Sequence, residues 1–189
     1  MPALQAMKRE GRKIVGVVAW DEGTARALDE AGVDMISIGD SGAASFDELL
    51  VFSTAVRRGT TRALVSCDLP EPSIEAARWI ADAGADLVKV EGVENVRAIA
   101  RAGIPVFAQI TSPAQAKPME DAGAALIDFR HSGPEAGAEA VAAVSIPVLG
   151  GLGGGPWLDG RVRAVYKLLD EAVTAFADDV RAGRPVKGD

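Results

Sequence analysis

Carboxylates and one lysine recur at the same kind of place along this chain. Asp40, Asp68 and Glu91 each end an apolar run of strand length, in MISIGD, ALVSCD and LVKVEG, and Lys89 stands between the last two. Converging carboxylate oxygens are hard ligands of the type Mg²⁺ takes into an octahedral shell. A strand-end Asp also serves as an ordinary cap for the helix that follows. Three in succession at equivalent positions, with a lysine among them, favour a site. Further on, Gln109 ends PVFAQI, and Asp128, Arg130 and His131 end ALIDFRH. Asp128 and Arg130 share strand parity, so both can face one side. Asp128 therefore reads either as a base or as the partner of Arg130. His131 is the chain's single histidine and the group whose unperturbed pKa lies nearest neutrality. It reads either as a proton carrier or as a surface residue at a helix start. Cys67 points away from Asp68 by parity and reads as core.

Positioning these residues requires a repeated unit, and the repeat is visible. An amphipathic stretch, Ala-Gly and an apolar run recur in DEAGVDMISIGD, ADAGADLVKVEG, ARAGIPVFAQI and EDAGAALIDFR. A helix ends where Gly takes a left-handed conformation, and a buried parallel strand starts shortly after. Gly32, Gly59 (a looser copy), Gly84, Gly103 and Gly123 mark the junctions, at spacings of 27, 25, 19 and 20 residues. Each spacing fits one βα unit. Strands are expected at 13–19, 35–39, 63–67, 87–90, 105–110, 125–129 and 147–150, with an eighth near 161–165. Helices fill the intervals, and a last one runs over about 168–182. Residues 1–12 read as a polar lead-in.

Seven or eight such units close into a compact (β/α)8 barrel with very short loops. An open doubly wound sheet is the other candidate, but no G-x-G-x-x-G follows the first strand. In the barrel, the strand-end residues gather on one rim. The glycine-rich GGLGGGP after strand 7 reads as a tight turn beneath that rim or as an anion-binding backbone. Trp20, Trp79 and Trp157 read as packing residues.

With 189 residues and 48% hydrophobic content, a single domain spanning 1–189 is the expectation. The net charge of −7 disfavours nucleic-acid and anionic-membrane partners, which require a basic surface. One cysteine and one histidine exclude an internal disulfide and the usual zinc sites. No long apolar segment or signal-peptide pattern is present, so the expected location is the cytoplasm. The stretch LLVFSTAV (49–56) is apolar enough to predict an exposed helix face and hence a homo-oligomer.

Five segments carry a family resemblance: VVAWDEGTARALDEAGVDMISIGDS (17–41), STAVRRGTTRALVSCDLP (53–70), ADAGADLVKVEG (81–92), AGIPVFAQI (102–110) and SIPVLGGLGGGPWLDGRV (145–162). Together they resemble ketopantoate hydroxymethyltransferase, a (β/α)8 family of the phosphoenolpyruvate mutase and isocitrate lyase superfamily. The resemblance implies a step of pantothenate biosynthesis. A Mg²⁺-bound 2-keto acid is enolised and attacks the one-carbon unit of 5,10-methylenetetrahydrofolate. It implies Asp40 and Asp68 as metal ligands and Glu91 as the acid beside them. It implies Ser41 and Lys89 as holders of the keto-acid carboxylate. The glutamate that the family uses as base aligns with Arg130, and its histidine after strand 5 aligns with Gln109, leaving both as substrate-facing candidates. Asp128 and His131 are then the candidates for proton transfer. Arg130 also suits a lyase or hydrolase acting on an oxaloacetate- or phosphonopyruvate-like acid, since guanidinium pairs with carboxylate or phosphonate. A non-catalytic barrel that keeps only the metal end is the third reading.

Overall fold

Eight parallel strands close into a barrel in sequence order, with the eighth pairing back onto the first. The computed structural model describes residues 1–39, 45–151 and 155–183. The strands are β1 (Ile14–Val18), β2 (Met35–Ile38), β3 (Leu64–Asp68), β4 (Leu87–Glu91), β5 (Val106–Ile110), β6 (Leu126–Phe129), β7 (Val148–Gly150) and β8 (Gly160–Ala164). The helices are α1 (Pro2–Arg9), α2 (Glu22–Glu30), α3 (Phe46–Gly59), α4 (Ile74–Asp82), α5 (Val93–Arg101), α6 (Ala116–Asp121), α7 (Pro134–Ala143) and α8 (Val165–Arg181). This is the compact (β/α)8 barrel expected from the repeat.

The junction glycines behave in two ways. Gly32, Gly84, Gly103 and Gly123 have φ between 84° and 113°, the left-handed region that closes a helix without a Cβ penalty. Gly59 has another role. It is the last residue of α3, and a Cβ there would run into the Glu22 carbonyl of α2. It is kept small so that the two helices can approach.

Strand alternation builds the barrel interior in layers. Ile14, Met35, Leu87, Phe107, Leu126 and Leu149 form an apolar floor, and Leu4 and Met7 of α1 plug it from below. Residues 1–12 are therefore not a lead-in. Helix α1 buries its apolar pair under the barrel, and Lys8 locks it there. The Lys8 ammonium donates to the Ile146 carbonyl at 2.9 Å and pairs with Asp159 at 3.0 Å. Two residues further along β2, β3, β4, β5 and β6 the lining turns polar, and Ser66 Oγ lies 3.1 Å from Ser37 Oγ.

The start of β3 is fixed by a buried carboxylate. Asp29, 5% exposed, accepts hydrogen bonds from the Thr61 hydroxyl at 2.7 Å and from the Thr61, Arg62 and Ala63 amides. Burial pushes its carboxyl upward, but the hydrogen bonds, led by the Ala63 amide, outweigh burial and hold it well below the usual range. Helix α2 is thereby tied to the strand that carries Asp68.

The apolar helix face lies elsewhere than expected. On α3, Leu49, Ser53 and Val56 are buried, because every third or fourth residue turns toward the barrel. Val51 is the exposed large apolar residue there. Helix α8 instead has no buried residue. It exposes Tyr166, Leu169, Val173, Phe176 and Val180, spaced three and four apart along one face. On the outer wall beside β8, Val15 is 50% exposed. Trp79 is half exposed against Phe46 rather than packed in the core. No helix among the described residues is long and apolar enough to cross a membrane.

Candidate active site

Four of the strand-end residues form one charged cluster within and just above the polar layer. Register pairs Asp68 with Lys89 across β3 and β4, and Gln109 with Asp128 across β5 and β6. Asp68, Lys89, Asp128 and Arg130 all carry inward parity, two or four residues beyond Leu64, Leu87 and Leu126 of the floor. Lys89 Nζ lies 2.7 Å from Asp68 Oδ1 and 3.6 Å from Asp128 Oδ2. Arg130 Nε donates to the same Asp128 Oδ2 at 3.1 Å. Below, Nζ stands 6.0 Å from the centre of the Phe107 ring.

Burial makes this cluster consequential. The side chains of Lys89 and Asp128 are 7% and 4% exposed. Desolvation pushes the Asp68 carboxyl above the usual carboxylate range, and the Lys89 charge offsets that only in part. Asp68 Oδ1 faces the Lys89 ammonium as an ion pair at 2.7 Å and has no further hydrogen-bond partner among the described residues. Asp128 Oδ1 is likewise buried without a hydrogen bond among the described residues. An orphaned carboxylate oxygen of this kind is costly unless a ligand completes it.

A cavity of about 610 Å³ reaches the cluster: Lys89, Asp128 and Arg130 line it together with Ser37, Gly39 and Phe107, and β1, β8 and the first turn of α8 line most of the rest. Gly39 was not singled out in the sequence, yet its place is specific. A Cβ there would overlap the Asp68 carboxylate, so the backbone leading to residue 40 lies directly against Asp68. Asp40 and Ser41 themselves lie outside the described residues. Phe107 and Ser37 were also missed, although inward parity alone marks them.

The remaining candidates separate from the cluster. Gln109 Nε2 donates to Glu91 Oε1, making a side-chain pair of its own between β4 and β5. His131 is exposed, has φ 53°, and does not line the cavity. Cys67 is buried in the outer core, where desolvation pushes its thiol up to about 12, far from a reactive thiolate. Trp20 packs against the outer core and donates to the Gly39 carbonyl at 3.1 Å. Trp157 lies over Gly137 and Gly155 and donates to Ser132 Oγ at 3.0 Å.

Among the described residues no three His, Cys, Asp or Glu side chains are grouped to hold a metal ion. The donor chemistry nonetheless fits a hard divalent cation at Asp68. Lys89 pairs with its Oδ1, which leaves Oδ2 as the hard oxygen donor, and the carboxylate abuts the strand end that leads to Asp40.

The chain is similar to known proteins in sequence and in fold. A family model described as ketopantoate hydroxymethyltransferase matches residues 1–115. The 3-methyl-2-oxobutanoate hydroxymethyltransferase of Cyanothece sp. is 36% identical over 211 residues, covering 86% of this chain and 80% of that protein. The protein of the same name from Hyperthermus butylicus is 32% identical over 245 residues, covering 94% and 84%. Among solved structures, 2,3-dimethylmalate lyase, a PEP mutase/isocitrate lyase superfamily member, superposes with a TM-score of 0.72 at 14% identity, covering 100% of this chain and 90% of that one. Phosphonopyruvate hydrolase in complex with oxalate and Mg²⁺ superposes with a TM-score of 0.65 at 16% identity, covering 100% and 89%. At these identities the structural likeness is one of fold.

Proposed function

This chain belongs to the ketopantoate hydroxymethyltransferase family, and we propose that it binds a small 2-keto acid, enolises it with the help of Mg²⁺, and passes the carbanion to a one-carbon unit. The observation that carries this reading is the buried Lys89 ammonium between Asp68 and Asp128 at the C-terminal mouth of the barrel. A buried cation beside a cavity is a receptor for the keto-acid carboxylate, and Ser41 is its proposed companion.

Asp68 and Asp40 would hold Mg²⁺, with Glu91 as the further acid beside them. Bound there, Mg²⁺ supplies the charge that lowers the cost of an enolate. Lys89 fixes the carboxylate end of the substrate. Asp128 Oδ1, which carries no hydrogen bond among the described residues, is the proposed proton acceptor, and Arg130 holds its other oxygen in place. His131 is the alternative acceptor, at the rim. The proposed one-carbon donor is 5,10-methylenetetrahydrofolate, an assignment that rests on family membership.

The test is α-proton exchange. Proton NMR of 2-ketoisovalerate, oxaloacetate and pyruvate in D₂O with protein and Mg²⁺ shows exchange that disappears with EDTA. Arg130 stands where the family carries its base, so exchange is slower than in an enzyme with that glutamate, by up to the ~10²–10⁴-fold typical of general-base loss. If no keto acid exchanges above the Mg²⁺ background, enolisation is ruled out.

We also propose a homo-oligomer held by α8. Its apolar face is covered by nothing among the described residues, and an exposed stripe of this size marks an interface. Light scattering at micromolar concentration gives a mass above that of one chain, and the Val173→Asp, Phe176→Asp double variant is monomeric. A monomeric parent protein contradicts the proposal.

A further inference from the structure

Gly39 and Trp20 bear on how the Asp68 carboxylate is aimed, an inference that rests on the reading of Asp68 as a Mg²⁺ ligand. Strands β2 and β3 pair in register as far as Ile38 and Cys67. One step further, Gly39 stands beside Asp68 on the same inward side. A Cβ on Gly39 would overlap both oxygens of the Asp68 carboxylate. The carboxylate therefore occupies the place that a side chain at 39 would take. On its other flank, Lys89 Nζ meets Oδ1 at 2.7 Å. Backbone on one side and ammonium on the other restrict how the carboxyl group can turn.

The Gly39 wall is itself held. Past the end of β1, the Ala19 amide donates to the Ser37 carbonyl at 3.1 Å. The next rung of a parallel ladder would run from the Asp21 amide to the Gly39 carbonyl. Asp21 instead turns off to cap α2, accepting from the Thr24 amide at 2.8 Å. The Trp20 indole takes the rung. Its Nε1 donates to the Gly39 carbonyl at 3.1 Å while its ring packs against the outer core. An indole carries a single donor on a rigid ring, so this bond fixes the Gly39 peptide beyond the last backbone rung between β1 and β2.

We propose that Gly39 and Trp20 are positioning residues for Asp68, and that Mg²⁺ needs the precision they give it more than Ca²⁺ does. Mg²⁺ takes oxygens at about 2.0–2.1 Å in near-ideal octahedral geometry, whereas Ca²⁺ accepts about 2.3–2.6 Å in flexible shells. A carboxylate that loses its lateral support therefore weakens Mg²⁺ binding more than Ca²⁺ binding.

The experiment is calorimetric titration of the parent, Gly39→Ala and Trp20→Phe with Mg²⁺ and with Ca²⁺, alongside urea unfolding. In Gly39→Ala the methyl group displaces the free end of the Asp68 side chain, so the barrel still folds. Mg²⁺ affinity falls about 10- to 100-fold, the loss typical of a residue that supports a ligand. The ratio of Mg²⁺ to Ca²⁺ affinity falls at least about fivefold. Trp20→Phe keeps a ring in the outer core and removes the donor, and it moves both quantities the same way by a smaller factor.

A parent that binds no Mg²⁺ overturns the metal reading itself, and this inference with it. Mg²⁺ binding by the parent with an unchanged ratio in both variants overturns the positioning role alone, even where the two affinities fall together. A ratio lowered in Gly39→Ala but not in Trp20→Phe overturns the part given to Trp20. If Gly39→Ala does not fold, the ratio in Trp20→Phe decides.

Discussion

Lys89→Ala weakens keto-acid binding by roughly 10- to 100-fold, the loss expected for one charge-assisted hydrogen bond, and destabilises the barrel by about 3–5 kcal/mol. Both effects come from one buried ammonium. Lys89 faces Asp68 at 2.7 Å and Asp128 at 3.6 Å, and its own side chain is 7% exposed. Truncation leaves two carboxylates near each other, one of them 4% exposed, with the central positive charge gone. Breaking a buried pair from one side is the costly case, because it leaves largely buried carboxylate charge with Arg130 as the remaining cation of the cluster. The two effects separate in a double variant. Lys89→Met with Asp128→Asn removes charge from both sides, so most of the stability returns while binding does not. Urea unfolding and calorimetry read these outcomes. Lys89→Ala with unchanged unfolding free energy would show that the ammonium does not hold the cluster together.

Asp68→Asn lowers Mg²⁺ affinity by roughly 100-fold, since loss of a supporting residue alone commonly costs 10- to 100-fold. The barrel stays folded. Asn keeps the shape, and the residue ends β3 above the floor that supplies the inner core. The pH dependence has a definite sign. Burial raises the Asp68 carboxyl, with Lys89 opposing only in part. A proton therefore competes with the metal at higher pH than at an ordinary aspartate. Mg²⁺ affinity of the parent declines as pH falls through a window starting above the usual carboxylate range, and Asp68→Asn has no such decline. Calorimetric titration across pH distinguishes the two. An unchanged affinity in the variant removes Asp68 from the metal site.

Much of the architecture was legible along the chain because its causes are local. A left-handed glycine closes a helix within one turn, and an apolar run of strand length follows at once. Four of the five junction glycines have the expected backbone, and the strands they precede fall within a residue or so of expectation. Parity along a strand is equally local, so the inward faces of Asp68, Lys89, Asp128 and Arg130 and the outward face of Cys67 could be read directly. Helix α1 was not legible. Only Leu4 and Met7 of its eight residues are buried, and their purpose exists only once there is a barrel floor to plug.

The sequence by itself determined the repeating unit, the fold class and the residues that reach the rim, since each follows from interactions within about twenty residues. The partnership among those residues was decided by the tertiary structure. Asp68 meets Lys89, and Gln109 meets Asp128, because hydrogen-bond ladders between strands set the register as the barrel closes. That register draws Lys89 and Arg130 onto one oxygen of Asp128 and leaves Glu91 to Gln109. It also determined which helix stays uncovered. The α3 and α8 stripes are alike as strings of letters, but α3 has neighbours to bury it and α8 follows the strand that closes the barrel, with no buried residue of its own.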